Sequence, residues 1–296
     1  MFDRVAWKAV GLVLVGQLSG CALEHPDEET IDEAEQSIWN GDLAAGNLSV
    51  VELTRNGGSG ICTGYFITRR HIVTAAHCTD RDYASQWYKV RIKTGATSFV
   101  NLKQTDRSDF WVLMPETAHP HFNFDTPTAY PDTAILTIPT TASGSVPTSQ
   151  ERLRLGTASP VIGQNMDIWG WGALTAADTV APGNLYSGRS GEAVSVASVG
   201  TQSGDRRFTA TVNNGARTCK GDSGGPATRF LSGNYVAFGT HRGSDVQGCA
   251  TTGSTMYWAA TSDKATWIES TLKGVYGSSF TCSRYGSGSD AYMRCW

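Results

Sequence analysis

Ser223 stands in the run Thr218-Cys219-Lys220-Gly221-Asp222-Ser223-Gly224-Gly225-Pro226, where glycine backbone freedom permits a tight turn. That setting suits acyl transfer. A serine hydroxyl is a weak nucleophile and needs an adjacent base. The carbonyl oxygen that turns negative during attack needs backbone N–H donors, which Gly221 and Ser223 can provide. Of the histidines beyond residue 37 (His71, His77, His119, His121 and His241), His77 is the candidate base. It sits in Thr74-Ala75-Ala76-His77-Cys78, directly after an apolar strand-like run, and the alanines leave room for its ring. An imidazole in that role needs a carboxylate to fix its tautomer and stabilise its cation. Asp132, in Pro131-Asp132-Thr133-Ala134-Ile135-Leu136, opens an apolar strand, a costly place for a charge unless it is paired. Asp125 is the weaker alternative. The chain has no HExxH motif and no strong calcium-loop pattern between Lys93 and Val112, so no metal and no cofactor is expected.

Groups this far apart in sequence need a folded framework to meet. From Ile38 onward the chain alternates short β-branched and aromatic runs, such as NLSVVELT, YFITRRHIVTA, WYKVRIK, DTAILTI, NMDIWGWG and YVAFGTHRG, with Gly, Asn, Asp and Pro. An all-β barrel or sandwich follows. Only Ser262 to Leu272 reads as helix, with Ser262 or Asp263 as N-cap and Ala265, Ile268 and Leu272 recurring at helical spacing. The Pro/Ser/Thr-rich stretch from Pro139 to Glu151 marks the boundary between two halves, 38–150 and 151–272. A Gly/Ser-rich segment, 273–296, carries Cys282 and Cys295. With 40% hydrophobic residues, 33 glycines and nine tryptophans in 296 residues, intrinsic disorder, collagen and coiled coil are poor descriptions. The formal net charge of −3 gives no reason to expect a nucleic-acid partner.

TAAHC, PDTAIL and CKGDSGGP together resemble the three catalytic blocks of the trypsin/chymotrypsin-like serine endopeptidases, in that family's His, Asp, Ser chain order. The similarity extends to Ile38-Trp39-Asn40-Gly41, to His119-Pro120-His121-Phe122-Asn123, to Gly170-Trp171-Gly172 and to the helix near the end. The resemblance implies two six-stranded antiparallel β-barrels, with the site in the cleft between them and a C-terminal α-helix. It implies that Ser223 attacks a protein or peptide substrate, His77 relays the proton, Asp132 orients His77, and the N–H groups of Gly221 and Ser223 hold the oxyanion. It also implies a latent precursor: an activating protease cuts before Ile38, and the freed α-amino group pairs with Asp222. Disulfides Cys62 with Cys78 and Cys219 with Cys249 follow from the same resemblance; Cys282 with Cys295 has no family counterpart. An α/β-hydrolase would also accept the GDSGG pattern but requires its acid and histidine after the serine, and only His241 follows Ser223. A catalytically impaired binding protein on the same scaffold is the remaining alternative.

The family's primary specificity pocket maps to Arg217 at its floor and to His241-Arg242-Gly243 at its wall. A cationic floor repels Lys and Arg side chains. Arg217 either selects acidic side chains or turns away and leaves room for small or apolar ones.

Arg4 and Lys8 precede an apolar stretch ending in Leu18-Ser19-Gly20-Cys21, the layout of an export signal over residues 1–21 and similar to a bacterial lipobox. Cys21 is then a lipidation site and a membrane anchor. Setting it aside leaves six of the seven cysteines for three disulfides in an oxidising compartment. Residues 22–37 hold seven acids and no Lys or Arg, and read as an acidic pro-segment. The expected product is a secreted or lipid-anchored bacterial-type monomer.

Overall fold

A computed structural model of the chain describes Ile38 and residues 42–43, 49–55, 60–79, 88–93, 99–102, 111–113, 132–138, 152–173, 185–188, 194–202, 205–212, 215–246 and 248–296. All of them fall within the unit Glu33–Trp296. The expectations for residues 1–37, Trp39 to Gly41, His119 to Asn123 and Asp125 lie outside the described residues.

Strand β1 (Asp42–Leu43) precedes β2 (Val50–Arg55), β3 (Gly60–Phe66), β4 (His71–Thr74), β5 (Tyr88–Lys93), β6 (Phe99–Leu102), β7 (Trp111–Leu113) and β8 (Ala134–Thr137). The last seven form one antiparallel sheet in the order β6-β5-β2-β3-β4-β8-β7. The second half supplies β9 (Arg154–Gly156), β10 (Asn165–Gly170), β11 (Tyr186–Gly188), β12 (Val194–Gln202), β13 (Asp205–Thr211), β14 (Pro226–Leu231), β15 (Asn234–Ser244), β16 (Thr255–Ala260), β17 (Cys282–Tyr285) and β18 (Tyr292–Cys295). Here β10, β12, β13, β16, β15 and β14 pair in turn, and β14 pairs back onto β10, closing a six-stranded barrel. Strand β1 crosses over to pair with β11 on this second sheet.

Successive side chains on a strand point to opposite faces, and the strands use both. In the first half Val51, Leu53, Phe66, Ile72 and Leu136 fill one core. Their neighbours Val50, Tyr65, Val73 and Ile135 turn the other way, onto Trp169, Trp171 and the helix residues Ala265, Ile268 and Leu272. Inside the closed barrel, Met166, Ile168, Phe208, Val236, Phe238 and Trp258 form a third cluster, which also buries the Ile38 side chain.

The helix runs from Thr261 to Tyr276, longer than the sequence pattern indicates, and its N-cap is Ala260 with no side-chain cap. Neither Ser262 nor Asp263 caps it. β16 runs straight into the helix, so the barrel sets where it begins. The Thr261 hydroxyl reaches the carbonyls of Gly156 and Ala237 (2.9 Å each), and the Asp263 carboxylate accepts the Arg206 N–H (2.9 Å). The residues after it form a β17–β18 hairpin whose second strand pairs with β9. Phe280, Met293 and Cys295 of this hairpin region are buried in the same cluster as the helix.

Candidate active site

Register puts His77 beside Asp132. Strands β4 and β8 pair antiparallel, with Thr74 opposite Ala134 and Val73 opposite Ile135. Just past that ladder, the chain leaving β4 and the chain entering β8 lie side by side. His77 sits there in a short 3₁₀ turn, Ala76–Thr79, and Asp132 stands just before β8. Asp132 accepts the His77 backbone N–H at 3.0 Å, and its Oδ2 lies 2.9 Å from His77 Nδ1. The carboxylate is 3% exposed and the imidazole 25%, so the acid lies behind and the ring faces outward. Burial alone would raise the Asp132 pKa. The His77 ring, the hydrogen bonds from His77 and the Arg242 charge outweigh it and hold the group below the usual carboxylate range.

The turn carrying Ser223 is pinned from the first half of the chain. Thr63 donates its N–H to the Ser223 carbonyl (2.8 Å). Its hydroxyl donates to the Gly221 carbonyl (3.0 Å) and accepts the Trp171 N–H (2.9 Å). Cys78 Sγ lies 3.6 Å from the Ser223 carbonyl oxygen, which brings the His77 turn against the Ser223 turn. Glycine is required at 224: φ is +86°, and a Cβ there would meet the Thr63 carbonyl oxygen at 2.1 Å. Gly221 also has positive φ, +99°. Ser223 remains partly exposed.

Three disulfides are formed: Cys62 with Cys78, Cys219 with Cys249, and Cys282 with Cys295. The sulfurs of the first pair lie within 4.8 Å of a His77 ring nitrogen. Being joined to each other, they brace the imidazole rather than offering thiolates to a metal.

Asp222 is fully buried. Its two oxygens accept the N–H groups of Gly172 (2.8 Å) and Cys219 (2.7 Å). Burial still drives its pKa well above the carboxylate range, against the pull of those two bonds. A Cβ on Gly170 or Gly172 would collide with this carboxylate, which accounts for the glycines flanking Trp171. Ile38 is buried in the closed barrel that borders the same loop.

His241 and Arg242 are both buried, whereas Arg217 and Gly243 are half-buried. Strand β15 slips register between His241 and Gly243 opposite β16, so Arg242 is the extra residue of a β-bulge. A bulge re-aims the side chain it carries. Here it sends the Arg242 guanidinium to Asp132, with Nε 3.2 Å from Oδ2, the oxygen that also faces His77 Nδ1. His241 packs its ring against Trp258 (5.2 Å), and burial, helped by His77, pushes its pKa down to about 3. It stays neutral. His71 is buried as well: it pairs with the Thr68 hydroxyl (2.6 Å) under Tyr276 and Phe280, and burial with the nearby Arg70 lowers its pKa to about 4.

Thr63 and the Arg242 contact have no local signal in the sequence. The first depends on strands from opposite halves meeting, the second on a register slip.

A β-rich body with one closed six-stranded barrel, one C-terminal helix and a His–Asp pair at the end of two paired strands has the trypsin-like fold. Residues 38–268 match the family described as Trypsin, and the chain belongs to that family. It is similar to trypsin I-P38 of Gallus gallus (26% identical over 272 residues, 88% of this chain and 98% of that one). It is similar also to kallikrein-8 of Mus musculus (27% over 174 residues, 56% of this chain) and to chymotrypsin-like elastase family member 1 of Homo sapiens (27% over 237 residues, 74% of this chain and 84% of that one). The kallikrein-8 match spans 61% of that relative's length. Among solved structures the chain resembles neuropsin, a serine protease expressed in the limbic system of mouse brain, with a TM-score of 0.56 and 21% identity, covering 77% of this chain and 95% of that one. Among the described residues no helix is long and apolar enough to cross a membrane.

Proposed function

We propose that the chain is a serine endopeptidase that hydrolyses peptide bonds through an acyl-enzyme on Ser223. The observation that carries this reading is the buried Asp132 carboxylate bonded to both the backbone N–H and the ring of a half-exposed His77. His77 takes the Ser223 proton as the hydroxyl attacks, and returns it to the leaving amine. Asp132 holds the ring in the needed tautomer and stabilises the imidazolium. The N–H groups of Gly221 and Ser223 receive the oxyanion, on a turn that Thr63 keeps in place. Arg217, with His241, Arg242 and Gly243, lines the side of the cleft that receives the residue before the cut. Arg217 brings a charge that disfavours Lys and Arg there.

In this reading the protein is exported on residues 1–21, with Cys21 lipid-modified as in a bacterial lipoprotein. It is made as a zymogen with residues 22–37 as pro-segment, and an activating protease cuts before Ile38. The halves 38–150 and 151–272 act as one monomer, followed by the disulfide-closed segment 273–296. Three disulfides accord with an oxidising compartment.

The test is covalent. The form beginning at Ile38 should react with a fluorophosphonate probe at Ser223, located by peptide mass mapping, and Ser223→Ala should abolish the label. The Arg242 contact favours one second reading, an impaired protease acting as a binding protein, because it shares the oxygen that serves His77. An intact Ile38-terminated form that never labels would select it.

A further inference from the structure

The hairpin β17–β18 lies beyond the stretch that matches the trypsin family, and nothing in the catalytic reading uses it. It extends the second sheet through β9: Tyr292 pairs with Gly156 and Met293 with Leu155. Leu155 and Met293 are buried core residues, so their neighbours Arg154 and Arg294 face the other way, and the next step of the ladder sets these two arginines beside each other. Arg152, two residues before Arg154, shares that face.

Like charges placed opposite each other on paired strands are unfavourable, and no acid among the described residues relieves them. Among the described residues, Arg152, Arg154 and Arg294 have no carboxylate partner. Among the described residues Arg154 bonds to the Asn234 amide oxygen (3.0 Å) and the Arg152 carbonyl (3.2 Å). Arg152 Nε is buried with no partner. The Arg294 guanidinium lies over the Trp296 ring, 5.7 Å from its centroid. Burial and the neighbouring arginine charges, Arg69 among them, push the pKa of Arg152 below the usual arginine range, and burial with Arg294 does the same for Arg154. Beside the cations stand aromatic rings: Tyr285 and Tyr292 stack at 5.5 Å, and Tyr285 and Trp296 are exposed.

We propose that this face is an exosite for an acidic polysaccharide, whose sulfate or carboxylate groups are taken by Arg152, Arg154 and Arg294 and whose sugar rings lie on Tyr285, Tyr292 and Trp296. Guanidinium forks bind such groups through paired charge-assisted hydrogen bonds, and the anion relieves the repulsion between the arginines. The aromatic rings supply flat apolar surface for the C–H faces of sugars. A polysaccharide fits better than a nucleic acid because three disulfides put the chain in an oxidising compartment. The exosite stands independently of the catalytic reading.

The full chain, inactive as Ser223→Ala, is titrated into a fluorescein-labelled heparin oligosaccharide at roughly 50 mM salt and followed by anisotropy. Wild-type surface should bind. The double variant Arg152→Gln/Arg294→Gln should weaken binding by about tenfold or more, and Trp296→Ala by several-fold. The double variant should melt no lower than its parent, because it removes like-charge contacts, and heparin should raise the melting temperature of the parent only. Absence of binding overturns the exosite, as does equal binding by parent and double variant. Tighter binding of a single-stranded oligothymidylate than of heparin overturns the choice of polysaccharide.

Discussion

Asp132→Asn should lower turnover on a peptide substrate by about 10⁴-fold while leaving the fold intact, the scale of the same replacement in the family's well-studied triad. The amide presents a donor where the His77 ring needs an acceptor, so the ring is held in a tautomer that cannot take the Ser223 proton. In this chain the change has a second consequence. The Asp132 carboxylate serves His77 and Arg242 at once, with both groups at Oδ2, and the amide leaves Arg242 buried beside a neutral group. Some loss of stability should therefore accompany the catalytic loss, and breaking a buried pair by removing one partner costs about 3–5 kcal/mol. The double variant Asp132→Asn/Arg242→Gln should regain stability in urea unfolding without regaining turnover. A single variant that kept more than about a tenth of wild-type turnover would remove Asp132 from the mechanism.

The form that retains residues before Ile38 should be slower than the form beginning at Ile38 by about 10²–10³-fold, the scale of losing an oxyanion donor. The Asp222 carboxylate is fully buried with two backbone N–H donors, and its pKa stands well above the unfolded value. A carboxyl that binds its proton more tightly when folded makes the folded state lose stability as pH rises above the ordinary carboxylate range. The uncut chain should therefore melt at progressively lower temperature from about pH 4 to pH 7. In the proposed activation, an α-ammonium group at Ile38 would supply the counter-charge that Asp222 lacks among the described residues, and should reverse the trend. An amine paired in the fold has its pKa raised, so its contribution is complete below its unfolded value, near pH ~7.7–8.0, and is lost as pH climbs through the folded value. Activity of the cut form should accordingly fall on the alkaline side. Rates of both forms on one peptide, with melting curves at each pH, test both halves of the claim. Equal activity in the two forms would show that Asp222 needs no partner.

The blocks around His77, Asp132 and Ser223 were readable in the linear chain because tight turns and buried charges restrict residue types at fixed local spacing. Only glycine tolerates the backbone at 221 and 224, and only a paired acid tolerates the head of β8. Short β-branched and aromatic runs bounded by turn residues likewise exposed β2, β4, β8 and β15. What escaped was set by contacts between distant segments. The helix start belongs to β16, and Ser262 and Asp263 look like caps only while that strand is ignored. Arg242 reads as pocket wall by position, yet a one-residue slip in β15 turns it to Asp132. The Gly/Ser-rich composition of 273–296 conceals a hairpin that places Met293 and Cys295 in the main core.

Because Val50, Tyr65, Val73 and Ile135 meet Trp169 and Trp171 in one cluster that also holds the helix, strands from both halves are fused through a common core, and hinging one half against the other would tear that core open. A protease built as proposed would therefore have to present fixed contours to its substrate and discriminate by side chains, with no jaw to close.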